Sequence, residues 1–230
     1  MYDLVVVGAS WGGLQAVGRL LSDLPDDFDL PIVIAQHRHP DAQEGTLAQL
    51  LQRRTDRRVL EAEDKLTIEP RHVYVAPPDY HLLVERGSFA LSVEDRVSYA
   101  RPSIDVLFES AADAFGDGLI GIILTGANDD GARGLARIKE LGGVALIQDP
   151  TAAVRRAMPD AAIATTAADA ILPLEEIGAF VYKVWIHAAA AQPPVRDSGP
   201  VEGVWGNREV PPARTQTAEK TDAGWPTFSS

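Results

Sequence analysis

A serine near the start of the chain lies between two glycines, at the point where an apolar run gives way to a helical pattern. The run covers residues 4–7, Gly8 and Gly12 flank Ser10, and apolar residues recur at helical spacing from Leu14 onward. Continuous β-branched residues favour a strand buried on both faces. The spacing Gly-x-Ser-x-Gly is that of a strand-to-helix turn that exposes a nucleophilic hydroxyl and leaves the next backbone N–H free for an oxyanion.

Other interpretations of this turn are possible. A dinucleotide-binding fingerprint needs a glycine where Ser10 stands, and a phosphate-binding loop needs a Gly-Lys-Ser/Thr ending that the sequence lacks. Both nucleotide interpretations are therefore weakened. A glycine-rich turn with only a structural role remains open, because short motifs also arise by chance.

A histidine and an aspartate follow two further predicted strands. His37 comes directly after the apolar segment 31–36, and Asp130 lies in the glycine-bearing turn 125–131 after the apolar segment 119–124. Strands joined by crossover helices are parallel, so their carboxyl ends meet at one edge of the sheet. Ser10, His37 and Asp130 are then candidates for a nucleophile, its general base and the carboxylate that orients the base.

Six segments in the same order carry a family resemblance. They are residues 8–13, 36–37, 78–83, 101–108, 124–132 and 157–159. Together they resemble the catalytic domain of the chemotaxis protein-glutamate methylesterase family over roughly residues 3–186. The resemblance implies a doubly wound, mostly parallel α/β sheet with helices on both faces, here with a small β-hairpin. It also implies hydrolysis of glutamyl methyl esters on chemoreceptors or related signalling proteins, and deamidation of glutamines there.

The resemblance assigns roles to particular residues. Ser10 would be the nucleophile, His37 the general base and Asp130 its partner, and the backbone N–H groups of Trp11 and Ala127 would form the oxyanion hole. No metal or other cofactor is implied. Two further residues, Arg101 and His81, would either bind the substrate or serve as structural hydrogen-bonding and ion-pairing groups.

The sequence departs from the family pattern at several points. Trp11 stands where threonine is frequent and Ala127 replaces a common methionine, so the substrate preference could differ. The turn 125–130 lacks the second glycine of the usual Gly-Met-Gly sequence, which puts its conformation in question. The catalytic strand begins near residue 3, so we expect a stand-alone form without the family's N-terminal receiver domain.

Composition narrows the class of protein. The 230 residues include 21 Lys+Arg and 33 Asp+Glu, a net charge of −12, and no cysteine. A phosphate backbone or an anionic membrane surface would be repelled, so we expect neither nucleic-acid binding nor membrane insertion. The N-terminal apolar run is too short for a spanning segment and carries no basic leader. We therefore expect a cytoplasmic protein.

The predicted domain organisation is a catalytic domain over residues 1–189 followed by a disordered tail over residues 190–230. A helix is expected over 41–54, and a hairpin from segments 81–84 and 89–93.

The tail lacks periodicity and apolar content. Its residues Trp225, Thr227 and Phe228 are similar to the terminal pentapeptide by which some chemoreceptors tether adaptation enzymes, which suggests a methyltransferase partner; a chance match is the alternative.

Two alternative functions stay open. The same triad could act on another ester or amide, or the fold could persist as a catalytically idle signalling scaffold. Retention of all three triad residues favours an enzyme.

Overall fold

The computed structural model describes residues 2–190, and all structural statements below refer to them. Nine strands and six α-helices lie in this part of the chain. Their bounds are β1 (Leu4–Ala9), α1 (Gly13–Asp23), β2 (Ile32–Gln36), α2 (Thr46–Gln52), β3 (Arg58–Glu61), β4 (His72–Val75), β5 (His81–Glu85), β6 (Ser88–Ser92), α3 (Ile104–Phe115), β7 (Leu119–Ile123), α4 (Ala132–Glu140), β8 (Val144–Gln148), α5 (Ala157–Thr165), β9 (Ala170–Leu172) and α6 (Leu174–Ala190).

Seven strands form a parallel sheet in the order β3-β4-β2-β1-β7-β8-β9, and β5 pairs with β6 as an antiparallel hairpin. Strand β1 is central, with β2 on one side and β7 on the other. The chain therefore winds away from β1 in both directions. Such a switch point opens a crevice at the carboxyl ends of the strands, where ligands of open α/β sheets bind. The predicted fold class is confirmed.

Helices cover both faces of the sheet. In β1, Val5 and Val7 belong to the buried cluster that includes residues of α1, α2 and α6, whereas Leu4 and Val6 belong to the cluster that includes residues of α3, α4 and α5. Successive side chains of a strand point to opposite faces, so an unbroken apolar strand serves both clusters. None of the helices within residues 2–190 is long and apolar enough to span a membrane.

Helix α2 begins later than the sequence pattern predicts, at Thr46 instead of residue 41. Gly45 adopts a left-handed conformation with φ 72°, and its N–H donates to the Glu61 carboxylate at 2.6 Å. A left-handed residue cannot continue a right-handed helix backward. Within α2, Leu47 and Leu51 are buried whereas Leu50 is exposed. The start of the helix depends on the contact with β3.

Candidate active site

The carboxyl ends of the three central strands are joined by main-chain hydrogen bonds. The Ser10 N–H donates to the carbonyl of Thr125, after β7, at 2.9 Å, and the His37 N–H donates to the carbonyl of Ala9, at the end of β1, at 3.0 Å. These contacts place Ser10 and His37 on adjacent strand ends and bring the loop that carries Asp130 to the same edge. The sheet topology thus gathers the three predicted residues.

His37 and Asp130 are directly paired. Nε2 of His37 lies 2.7 Å from Oδ2 of Asp130; the histidine side chain is 14% exposed and the aspartate side chain is fully buried. Because Nε2 is engaged, Nδ1 is the nitrogen left to exchange a proton with a nucleophile. Within residues 2–190 neither Nδ1 nor the Ser10 hydroxyl has a hydrogen-bond partner, so both remain available for proton exchange.

The Asp130 carboxylate accepts four hydrogen bonds. Beside His37, the donors are the Ser103 hydroxyl at 2.8 Å and the backbone N–H groups of Ile104 and Asp105 at 2.7 and 3.1 Å. Burial opposes ionisation of this carboxyl, but the hydrogen bonds from His37, Ile104 and Asp105 outweigh it and hold the pKa of Asp130 below its usual value. The ionised carboxylate fixes the imidazole orientation.

Asp105 makes the reciprocal contact. Its buried Oδ1 accepts from the backbone N–H groups of Gly131 and Gly134 at 2.9 and 2.8 Å, and Oδ2 accepts from Arg133 Nε at 3.0 Å. Asp130, which precedes α4, caps the first turn of α3, and Asp105, in the first turn of α3, caps α4. Each carboxylate satisfies N–H groups that a helix start leaves unpaired. We call this arrangement the reciprocal cap.

The turn that carries Ser10 has the backbone needed to present an N–H. The Gly13 N–H donates to the Ser10 carbonyl at 2.9 Å, and Gly12, at φ 83° and ψ −2°, occupies the position that a type II turn reserves for glycine. The Thr125 hydroxyl donates to the Trp11 carbonyl at 2.9 Å. Within residues 2–190 the Trp11 N–H has no acceptor.

The facing loop presents a second free N–H group, that of Ala127, which likewise has no acceptor within residues 2–190. The loop is held by Gly126, whose N–H donates to the Arg155 carbonyl at 3.1 Å and whose carbonyl accepts from the Met158 N–H at 3.0 Å. A Cβ on Gly126 would lie 2.5 Å from the Met158 side chain. Asn128, which stands in place of the family's second glycine, does not need a positive φ, so the substitution is compatible with this loop conformation.

Beside His37 lies a cleft of about 190 Å³, lined by His37, Arg38, Pro40, Arg96, Ser98, Tyr99, Ala100, Arg101, Pro102 and Asn128. Tyr99 is 98% exposed at the tip of a tight turn. Trp11 is 62% exposed, and the guanidinium of Arg155 lies 5.5 Å from its ring centroid. Exposed aromatic rings therefore lie on the loops that surround the strand ends.

The two tentative substrate-binding residues differ in their surroundings. His81 is buried; its Nδ1 accepts from the Ser103 N–H at 3.2 Å and its Nε2 donates to the Asp95 carbonyl at 3.0 Å. Arg101 contributes to the cleft, but its guanidinium is engaged by Asp79 and by two backbone carbonyls. These contacts correspond to the structural alternative for both residues.

Sequence reasoning gave no role to two residues that contact the site. Ser103 is both the cap of α3, accepting from Val106 N–H, and a donor to Asp130. Gln36, at the end of β2, donates to the carbonyls of Ser10 and His37. A serine just before a helix and a glutamine at the end of a wholly apolar strand are detectable signals, but their partners lie far away in sequence.

The structure is a parallel α/β sheet with a serine, a histidine and a buried carboxylate at its switch point. This combination is typical of a serine hydrolase. Comparison with known proteins gives the family. Residues 5–181 match the model of the CheB methylesterase family, and the chain belongs to that family.

Its relatives include a Leptospira interrogans protein provisionally named as a protein-glutamate methylesterase/protein-glutamine glutaminase, 48% identical over 177 residues, which are 76% of this chain and 91% of that protein. The protein-glutamate methylesterase FrzG of Myxococcus xanthus is 42% identical over 186 residues, 80% of this chain and 55% of FrzG. The crystal structure of the Thermotoga maritima CheB methylesterase catalytic domain superposes with a TM-score of 0.75 at 32% identity, covering 80% of this chain and 99% of that domain.

Proposed function

We propose that the protein is a serine hydrolase that removes methyl esters from glutamyl side chains, with Ser10 as nucleophile, His37 as general base and Asp130 as the carboxylate that orients the base. The observation that carries the proposal is the 2.7 Å contact between His37 and Asp130 at the strand end next to Ser10. Membership of the methylesterase family supports the choice of ester.

The reaction follows from this arrangement. His37 takes the Ser10 proton on Nδ1 as the serine oxygen attacks the ester carbonyl. The tetrahedral intermediate collapses as the bond to the methoxy oxygen breaks and His37 returns the proton to that oxygen, which leaves as methanol. Water, activated by His37, then attacks the glutamyl-enzyme and releases the γ-carboxylate. With a glutamine substrate the leaving group is ammonia, and the same steps give deamidation.

Two backbone N–H groups are proposed to bind the oxyanion, those of Trp11 and Ala127. Each lacks an acceptor within residues 2–190. The Trp11 turn is held by Thr125, just after β7, and the Ala127 loop by Arg155 and Met158. A fixed donor of this kind contributes about 10²- to 10³-fold to kcat in other serine hydrolases. Their side chains are free to vary, which fits the presence of tryptophan and alanine at these positions.

The proposed substrate is a methylated chemoreceptor or a related signalling protein, and the proposed location is the cytoplasm. The proposed methyltransferase contact through Trp225, Thr227 and Phe228 lies outside the described residues. Isothermal titration of a peptide of residues 218–230 against the methyltransferase tests it. The proposal predicts binding that Trp225→Ala removes, and the absence of heat at a few hundred micromolar peptide contradicts it.

Methanol release from methylated receptor membranes tests the activity. We expect release by the wild-type protein and by the surface variant Ser22→Ala, and loss of nearly all activity in Ser10→Ala and His37→Ala with unchanged circular dichroism, because members of a catalytic unit act together. Normal turnover by folded Ser10→Ala would exclude the serine mechanism. If the wild type cleaves p-nitrophenyl acetate but not the receptor ester, the alternative of a different ester substrate is favoured.

A further inference from the structure

Gln36 occupies a position between the candidate nucleophile and the candidate base. It is the last residue of β2, is nearly buried, and its Nε2 donates to the Ser10 carbonyl at 2.7 Å and to the His37 carbonyl at 3.1 Å. One amide group therefore joins the backbone of both residues. We propose that Gln36 is the positioning residue of the oxyanion hole, a proposal that rests on the proposed function.

The argument begins with the geometry of one peptide unit. The Ser10 carbonyl and the Trp11 N–H belong to the same planar trans peptide, so they point in opposite directions. Gln36 Nε2 and the Gly13 N–H both donate to this carbonyl. With its oxygen held by two donors, the peptide directs the Trp11 N–H away from Gln36. If the peptide turned over, the Trp11 N–H would face two other donors, so Gln36 disfavours the orientation in which the oxyanion hole is lost.

The orientation of the Gln36 amide is itself determined by its surroundings. If the amide were rotated by 180°, Oε1 would face the two carbonyl oxygens that Nε2 now contacts. A Cβ on Gly13 would lie 2.0 Å from Oε1, so the amide packs directly against the first residue of α1. Oε1 is buried without a hydrogen-bond partner among residues 2–190. An unpaired buried acceptor costs free energy, which the two hydrogen bonds of Nε2 offset.

A second effect of Gln36 is electronic. Hydrogen bonds in a chain polarise one another, so donation to the Ser10 carbonyl strengthens the Trp11 N–H of the same peptide as a donor. Both effects act when negative charge develops on the substrate carbonyl oxygen. Gln36 contributes no proton. It does not line the cleft described above, although it lines a second groove beside His37 together with Leu14 and Leu47. Because its amide donates to the backbone carbonyls of Ser10 and His37, we expect its effect on kcat and not on KM.

The test compares Gln36→Met, which keeps the length of the side chain and removes the donor, with the matched control Gln52→Met. Gln52 Nε2 also donates to two backbone carbonyls, those of Thr55 and Arg57, but lies outside the candidate site. We expect Gln36→Met to lower kcat about 10- to 100-fold with KM within threefold, less than the loss of a whole oxyanion donor because the Gly13 hydrogen bond remains. Gln52→Met should leave kcat and KM unchanged.

A boronic acid, which forms a tetrahedral anionic adduct with serine, supplies a readout independent of the natural ester. Its affinity should fall in parallel with kcat in Gln36→Met, as expected for a transition-state analogue. If Gln36→Met does not fold, Gln36→Ala takes its place in both measurements. A folded variant with kcat within threefold of wild type, or a loss confined to KM, overturns the inference. Absence of both turnover and boronate binding in the wild type would instead contradict the proposed function.

Discussion

At the scale of single residues, Asp130 and its neighbour Asp129 offer the sharpest comparison. Both oxygens of Asp130 accept a backbone N–H, from Ile104 and from Asp105. Either orientation of an asparagine amide would therefore place its NH₂ group against one of these donors. Asp129 is exposed, and its carboxylate has no hydrogen bond within residues 2–190.

We expect Asp130→Asn to lower the hydrolysis rate by several orders of magnitude, since the imidazole tautomer is disturbed, and to reduce the free energy of unfolding by about 1–3 kcal/mol. Asp129→Asn should change stability by less than about 0.5 kcal/mol and the rate little. Urea unfolding and methanol release measure the two effects. Reversed results would assign the triad acid to Asp129.

The pH dependence of stability follows from the lowered pKa of Asp130. Because the folded state holds this pKa below the unfolded value of about 3.9, the stabilisation is fully present above about pH 4 and is lost as the pH falls through the folded value. We expect the difference in unfolding free energy between wild type and Asp130→Asn to shrink below about pH 4. Urea titrations at pH 6, 4 and 3 measure it, and a difference that grew on acidification would contradict the sign.

The three triad candidates could be identified from sequence because strand ends of parallel sheets meet at one edge, whatever the intervening chain. The hydrogen bonds that hold these residues in place could not be identified from the sequence. Gln36 and Ser103 act through carbonyl and carboxylate groups that sequence spacing does not locate, and for His81 the sequence left both substrate binding and a structural role open. Its pairing with two backbone groups is a property of the packed fold alone.

At the scale of elements, the reciprocal cap makes α3 and α4 depend on each other. Asp105→Ala would leave two helix-start N–H groups without an acceptor, and we expect a loss of roughly 2–3 kcal/mol in the free energy of unfolding. Asp105→Asn can keep one oxygen on Gly131 and Gly134 and place its NH₂ group toward Arg133, whose side chain is 66% exposed and free to move. This variant should lose less than about 1 kcal/mol. Thermal or urea unfolding of the two variants measures the difference. Equal losses of unfolding free energy in Asp105→Ala and Asp105→Asn would contradict the role assigned to Oδ1.

The elements themselves were predictable where an apolar run was unbroken, as in β1 and β7. The predictions were less accurate where a tertiary contact sets a boundary. Gly45 delays the start of the expected helix 41–54 to Thr46, because Glu61 of β3 accepts its N–H and the residue is left-handed. Such boundaries depend on partners from other elements.

At the scale of the whole molecule, the buried clusters on both faces of the sheet and all proposed site residues belong to residues 2–190. We therefore expect a chain ending at residue 190 to retain the unfolding midpoint and the kcat of the full chain. Urea unfolding and ester hydrolysis by both proteins test this expectation. A large loss of either quantity would show that the catalytic domain extends beyond the predicted boundary at residue 189.

The reciprocal cap also bears on protein design. The acid of a serine hydrolase is often regarded as a single residue that can be placed on any suitable loop. Here Asp130 caps α3, and Asp105 of α3 caps α4, the helix that follows Asp130. Grafting this site onto another parallel sheet would therefore require two helix starts at a fixed spacing. Without them the carboxylate would lack the backbone N–H donors that keep it ionised.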